Sequence, residues 1–215
     1  MVIQISIDRI NVPPGQKVLL SQVGWQEFEA ILAELGARSA RIAYDNGILE
    51  LMTPLPEHEA AKEMIGDLLK ALLEELEIEF LTLGSTTFKN QQMAQAIEPD
   101  QCFYIQNEAR VRGKKRLDLT IDPPPDLALE IDITSRTHRN IYAALKVPEL
   151  WRFEQGKLQI NLLQAGEYVQ VEESPTFPSL SLREAIVQSV SQSQKAGRNA
   201  ALKAFRAWVK GQMSA

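Results

Sequence analysis

The stretch Pro123 to Phe153, PPPDLALEIDITSRTHRNIYAALKVPELWRF, constrains the fold more than any other part of the chain. DLALEIDI and ELWRFEQ are apolar, strand-like runs, and SRTHRNIYAALKV between them reads as a short helix. Strand, helical crossover and strand together indicate a mixed sheet with helices packed against it. The same stretch raises a chemical question. Side chains alternate along a strand, so Asp126, Ala128, Glu130 and Asp132 fall on one face. Buried carboxylates are costly unless a cation or hydrogen bonds meet them.

The rest of the chain supports the same class. A short opening strand and the turn VPPGQ precede a helix, in which Trp25, Phe28, Ile31, Leu32 and Leu35 recur at helical spacing and Gly36 ends the run. RIAYDNGILELM is two alternating runs around Asn46-Gly47, a strong hairpin signal. TPLPEHEAAKEMIGDLLKALLEELEI is a long amphipathic helix whose start is set by its prolines. EFLTLGSTTFK, AIEPDQCFYI and LDLTI read as strands, and Gln155-Gly156 and Ala165-Gly166 as hairpin turns. Helix returns after Leu180, broken near Ser191 or Gly197. The expected fold is α/β (α+β), with a mixed central sheet flanked by helices, an N-terminal hairpin and C-terminal helices. The expected organisation is one domain over 1–180, with a helical extension over 181–215 packed on it.

Composition sets limits. With 45% hydrophobic and 24% charged residues the chain is globular rather than disordered. No apolar stretch approaches the ~20 residues of a membrane span, and the N-terminus has no basic start followed by an apolar core, so the expected address is the cytoplasm. Cys102 is the single cysteine, which excludes an internal disulfide and suits a small buried hydrophobe. A net charge of -5 gives no global attraction to nucleic acid. The distribution is uneven: acids crowd Glu57 to Glu79, whereas Lys195 to Lys210 carries bases and no acid. Solvated helix faces account for both runs, and a docking or phosphate-tracking surface is the rival reading of the basic one.

Asp100 begins one strand and Glu130 lies within another. If the strands are adjacent, the two carboxylates can converge on a hard divalent cation, which takes oxygen ligands and keeps several waters. Such an ion polarises a phosphodiester and lowers the pKa of a bound water. The competing reading has Asp126 fixing the turn after three prolines while Glu130 and Asp132 face solvent.

GILELMTPLPEH, EPD, PPDLALEI and IYAALKVPELWRF, taken in order, resemble the PD-(D/E)XK nuclease superfamily, and more closely its bacterial Uma-type restriction endonuclease family. The resemblance spans Tyr44 to Phe153 and implies a restriction-endonuclease-like core. It makes Asp100 and Glu130 the metal-binding carboxylates, with Glu50, His58 and Asp126 supporting them. It also exposes a departure. The superfamily keeps a lysine two residues after the acid, where this chain has Asp132. Many relatives instead carry a lysine four residues before the aromatic matching Tyr142, and here that residue is His138. The cationic role then falls to Arg136, His138 or Arg139, or is absent. Arginine binds phosphate bidentately, and histidine can serve as a base. Asp132 is also a candidate ligand for a second ion. Between the acid-bearing segments the loop ARVRGKKR offers Arg112, Lys114 and Lys115 to phosphates.

The function expected is a Mg²⁺- or Mn²⁺-dependent endonuclease hydrolysing DNA. The alternative is a nuclease-fold module that has lost catalysis and binds DNA or protein. A homodimer suits cleavage of two strands.

Overall fold

β1 (Lys17–Ser21), β2 (Arg41–Asp45) and β3 (Ile48–Met52) form an antiparallel unit with β3 in the middle. Asn46 and Gly47 turn the hairpin with φ of 47° and 90°, the left-handed pair that a two-residue hairpin turn requires. This computed structural model describes residues 7–35, 40–84, 86–133 and 138–213. The expected opening strand lies mostly outside them, and Ile7–Arg9 is a 3₁₀ turn.

The strand-rich middle is shared between two sheets rather than added to one. α1 (Trp25–Leu35) precedes the hairpin and α2 (Pro56–Glu75) follows it. β4 (Leu81–Leu83) then joins the second sheet, whereas β5 (Phe88–Asn90) and β6 (Gln95–Ile97) complete the first, in the order β1-β3-β2-β6-β5. β7 (Gln101–Tyr104), β8 (Leu127–Ile131), β9 (Glu149–Glu154), β10 (Lys157–Gln164) and β11 (Glu167–Val171) build the second sheet, in the order β11-β10-β9-β8-β7-β4. A single helical turn, α3 (Glu108–Val111), lies between β7 and β8; the pair β8–β9 is parallel, joined through α4 (Arg139–Ala144), and the other ladders are antiparallel. The mixed sheet read from the crossover is therefore present, but beside a separate antiparallel one.

Three apolar clusters give the layering. Phe28, Tyr44, Leu49 and Leu51 bury α1 against the outer face of the first sheet. Ala43, Ile97, Cys102, Ala128, Ile141 and Tyr142 fill the space where the two sheets and α4 meet. The largest cluster packs α2, α5 (Leu182–Ala196) and α6 (Arg198–Met213) on the other face of the second sheet, through Leu68, Leu72, Leu129, Trp151, Ile186 and Phe205. Gly197, at φ 90°, separates α5 from α6. Gly66 lets α2 come close, since a Cβ there would lie 2.1 Å from Gln101 Oε1.

LDLTI is not a strand. Asp118 accepts from Thr120 N at 2.9 Å and Asp122 accepts from Asp118 N at 2.9 Å, so side chains take the backbone donors that a ladder would need. Trp151 packs, fully buried, and donates Nε1 to Glu149 at 2.5 Å. Cys102 is buried, and burial pushes its thiol up to about 12. The basic run on α6 faces the acidic run on α2: Arg198 pairs with Asp67 at 2.6 Å, and Arg206 with Glu74 at 2.5 Å and Glu75 at 2.8 Å. Among the described residues no helix is long and apolar enough to cross a membrane.

Candidate active site

The tripeptide Glu98-Pro99-Asp100 carries the chain from β6 in the first sheet to β7 in the second. Asp100 sits at this crossing, one residue before the Gln101–Leu129 pair of the β7–β8 ladder, and so beside the end of β8. Its Oδ2 accepts from Ile131 N at 2.8 Å. His58, near the head of α2, brings Nε2 to 3.1 Å from the same oxygen. Arg41, first residue of β2, donates Nη1 to Pro99 O at 3.2 Å and holds Nη2 3.5 Å from Asp100 Oδ1.

Glu130, half-buried on β8, accepts the Tyr142 hydroxyl proton from α4. Burial and then the charge of Asp100 push its carboxyl well above the usual range, with Asp132 adding to the rise, and Tyr142 and Arg41 opposing it. Glu50 on β3 lies opposite in character. Burial raises it too, but His138 and Lys17 outweigh that and hold it below the usual range. Lys17 Nζ is 2.9 Å from Glu50, and His138 Nε2 is 3.4 Å from it. Arg41, Glu50, Glu98, Asp100, Glu130 and His138 share the lining of a cavity of about 40 Å³, room for more than one water-sized occupant.

Asp100, Glu130, Glu50, His58 and His138 thus come together. The other expected residues go elsewhere. Asp126 accepts from Ile105 N at 2.7 Å, from Asn107 N at 3.0 Å and from Asn107 Nδ2 at 2.6 Å, which fixes the turn after β7. Asp132, one residue past the strand, is paired with Arg152 through Nε at 2.9 Å and lines a different groove, beside Phe153 and Val187. Alternation does not keep it in the cavity with Glu130, because β8 ends at Ile131. Arg139 points to β11, donating to Tyr168 O at 2.6 Å. Arg136 lies outside the described residues.

Arg112 pairs with Glu108 at 2.5 Å, and Lys114 with Asp122. Lys115 is exposed in the same loop. β7 runs away from Asp100 into this loop and β8 returns from it to Glu130, so the loop stands at the far end of both strands. At ~3.3 Å per residue that is more than ~10 Å from the acids. The sequence did not single out Arg41, which reads as an ordinary polar residue at the head of an alternating strand, nor Tyr142 as a partner of Glu130.

His58, Glu59 and Asp100 offer ligand atoms within 4.8 Å of one another. Lys62 already holds Glu59 at 2.5 Å and Arg41 stands 3.7 Å from it, so the charge on that side is met. The Asp100–Glu130 side is different. Burial and then the charge of Asp100 raise the Glu130 carboxyl there, and a divalent cation held between two hard oxygen donors is the species that relieves this. The residues fit a hard metal ion.

A family model described as "Putative restriction endonuclease", Uma2, matches residues 25–193. The chain belongs to the Uma2 family. The Uma2 match takes in the second sheet, the first sheet except β1, every residue of the cavity and most of α5, beyond the motifs ending at Phe153. A crystal structure described as a putative nuclease belonging to DUF820, from Anabaena variabilis, is similar at 17% identity with a TM-score of 0.55. The similarity covers 75% of this chain and 97% of that one, and it shows the nuclease-like fold of this Uma2 member. No curated protein matches the sequence.

Proposed function

We propose that the chain is a divalent-metal-dependent endonuclease that hydrolyses DNA phosphodiester bonds. The observation that carries this reading is the meeting of Asp100, at the crossing into β7, and Glu130, on β8, in one cavity, where burial and the charge of Asp100 raise the Glu130 carboxyl. Asp100 and Glu130 hold Mg²⁺ or Mn²⁺, which when bound polarises the phosphate and acidifies water. His58 orients Asp100 through Nε2 and Tyr142 orients Glu130 through its hydroxyl. His138, held beside Glu50, is the group placed to take the proton of the attacking water. Cutting two strands calls for two copies of the site, so a homodimer on DNA inside the cell is the expected working form.

Purified protein should nick or linearise plasmid DNA with Mg²⁺ or Mn²⁺ and not with chelator. Glu130→Gln and Asp100→Asn should each abolish this. Cleavage that survives both substitutions sinks the reading.

One observation favours a second reading, a nuclease-fold module that binds nucleic acid or protein without cutting. The position of the motif lysine holds Asp132, and it is tied to Arg152. Calorimetry separates the two readings, because the inactive module binds no Mn²⁺ at millimolar concentration.

A further inference from the structure

We propose that Arg41 is the phosphate-binding cation of this site, supplying from β2 the charge that the motif lysine supplies in the superfamily. The inference rests on the nuclease reading and adds a residue that the motifs do not contain. Arg41 and His138 are the basic side chains among those lining the cavity, and of the two only arginine carries a permanent charge.

Among the described residues, these other cations nearby are committed. Lys62 is on Glu59 at 2.5 Å, Lys17 on Glu50 at 2.9 Å, Arg139 on Tyr168 O at 2.6 Å, and Arg152 on Asp132. Arg41 is not committed in this way. A guanidinium has five N–H donors, yet among the described residues Arg41 makes one hydrogen bond, to Pro99 O at 3.2 Å. Its distances of 3.5 Å to Asp100 and 3.7 Å to Glu59 are those of charge attraction rather than hydrogen bonding. The side chain is 11% exposed, so little water competes with an anion for its remaining donors, and the interaction is correspondingly stronger than in bulk solvent.

A planar fork of donors matches the non-bridging oxygens of a phosphate. The fork is also registered to the acids. Pro99 O anchors Nη1 while Asp100, the next residue, faces Nη2. The Glu98-Pro99-Asp100 crossing therefore places a carboxylate and a phosphate-binding cation together.

The test is fluorescence anisotropy of a labelled duplex oligonucleotide bound to the full chain in chelator, over a salt series. Arg41→Gln should weaken binding about tenfold and lower the slope of log K against log salt by about 0.9, the loss of one phosphate contact. Arg41→Lys should keep the slope and lose affinity, because the charge stays and the fork goes. With Mn²⁺ the cleavage rate of Arg41→Gln should fall about 100-fold or more. Unchanged affinity and slope in both variants overturn the inference, whether or not the wild type cleaves. An Arg41-dependent slope in a protein that never cleaves supports it and overturns the nuclease reading. If Arg41→Gln does not fold, Arg41→Lys decides: weaker binding at constant slope supports the inference, and unchanged binding overturns it.

Discussion

Tyr142 on α4 donates its hydroxyl to Glu130 on β8, a carboxyl that burial and the charge of Asp100 otherwise push toward protonation. The folded state therefore holds a proton on Glu130 at pH values where the unfolded chain has released it. Stability from this group is fully present below the ordinary carboxylate range and is lost as pH rises through the raised folded value, since the native state binds more protons. Replacing Glu130 by Gln removes the cost. In chelator, the melting temperature of Glu130→Gln should exceed that of wild type at pH 8 and approach it near pH 4, with each kcal/mol worth about 2–4 °C. A difference that does not vary with pH defeats the idea. Millimolar Mn²⁺ should raise the wild-type melting temperature by mass action and leave Glu130→Gln unmoved.

Asp126, one residue before β8, and Glu130, within it, are four residues apart, yet they do different work. Asp126 satisfies two backbone donors and an amide of the turn at Ile105 to Asn107. Asp126→Ala leaves those donors unmet and should cost about 2–4 kcal/mol in urea unfolding. Wherever the variant remains folded, its Mn²⁺ affinity should stay within threefold of wild type. A variant as stable as wild type with weakened metal binding makes Asp126 a site residue after all.

This pair shows what a sequence can and cannot carry. The Asn46-Gly47 hairpin, α2 and the β8–α4–β9 crossover were legible because each depends on local chemistry or short periodicity, while of the two breaks the sequence offers, Ser191 lies inside α5 and Gly197 ends it. The division into two sheets was not, because the strands of the middle segment look alike and only long-range pairing assigns them. Asp100 and Glu130 were legible through ordered motifs. Arg41 was not, because 59 positions separate it from Asp100, and nothing local distinguishes a strand-head arginine that faces acids from one that faces water. Asp132 misled for the same reason: alternation assumes a strand that continues, and the backbone turns there instead.

The sequence suggests a helical extension over 181–215 packed on the domain, and Leu182, Ile186, Val190, Phe205 and Val209 belong to the largest core cluster together with α2 and Trp151. Burying each such side chain contributes roughly 1.5–3 kcal/mol, and together they rival the roughly 5–15 kcal/mol stability of a whole domain. Truncation after Leu180 should therefore give insoluble or molten protein, seen as lost near-ultraviolet circular dichroism. A truncated chain that stays folded and monomeric contradicts this and restores the helices to the role of a separable docking element.

His138 stands four residues before Tyr142, where the resemblance expects lysine, and its Nε2 lies 3.4 Å from Glu50. A lysine there can do two jobs, stabilising charge on the phosphate and handling the proton of the attacking water. With Arg41 placed for the first, the imidazole is left with the second, and an ammonium cannot accept a proton. His138→Ala should slow Mn²⁺-dependent cleavage about 100-fold or more. His138→Lys should be no faster, although it keeps a cation beside Glu50 and restores the expected residue. The two variants should bind the duplex oligonucleotide as wild type does, which separates them from the Arg41 variants. Full rescue by lysine means that position 138 supplies charge rather than proton transfer, and it removes the division of labour between His138 and Arg41.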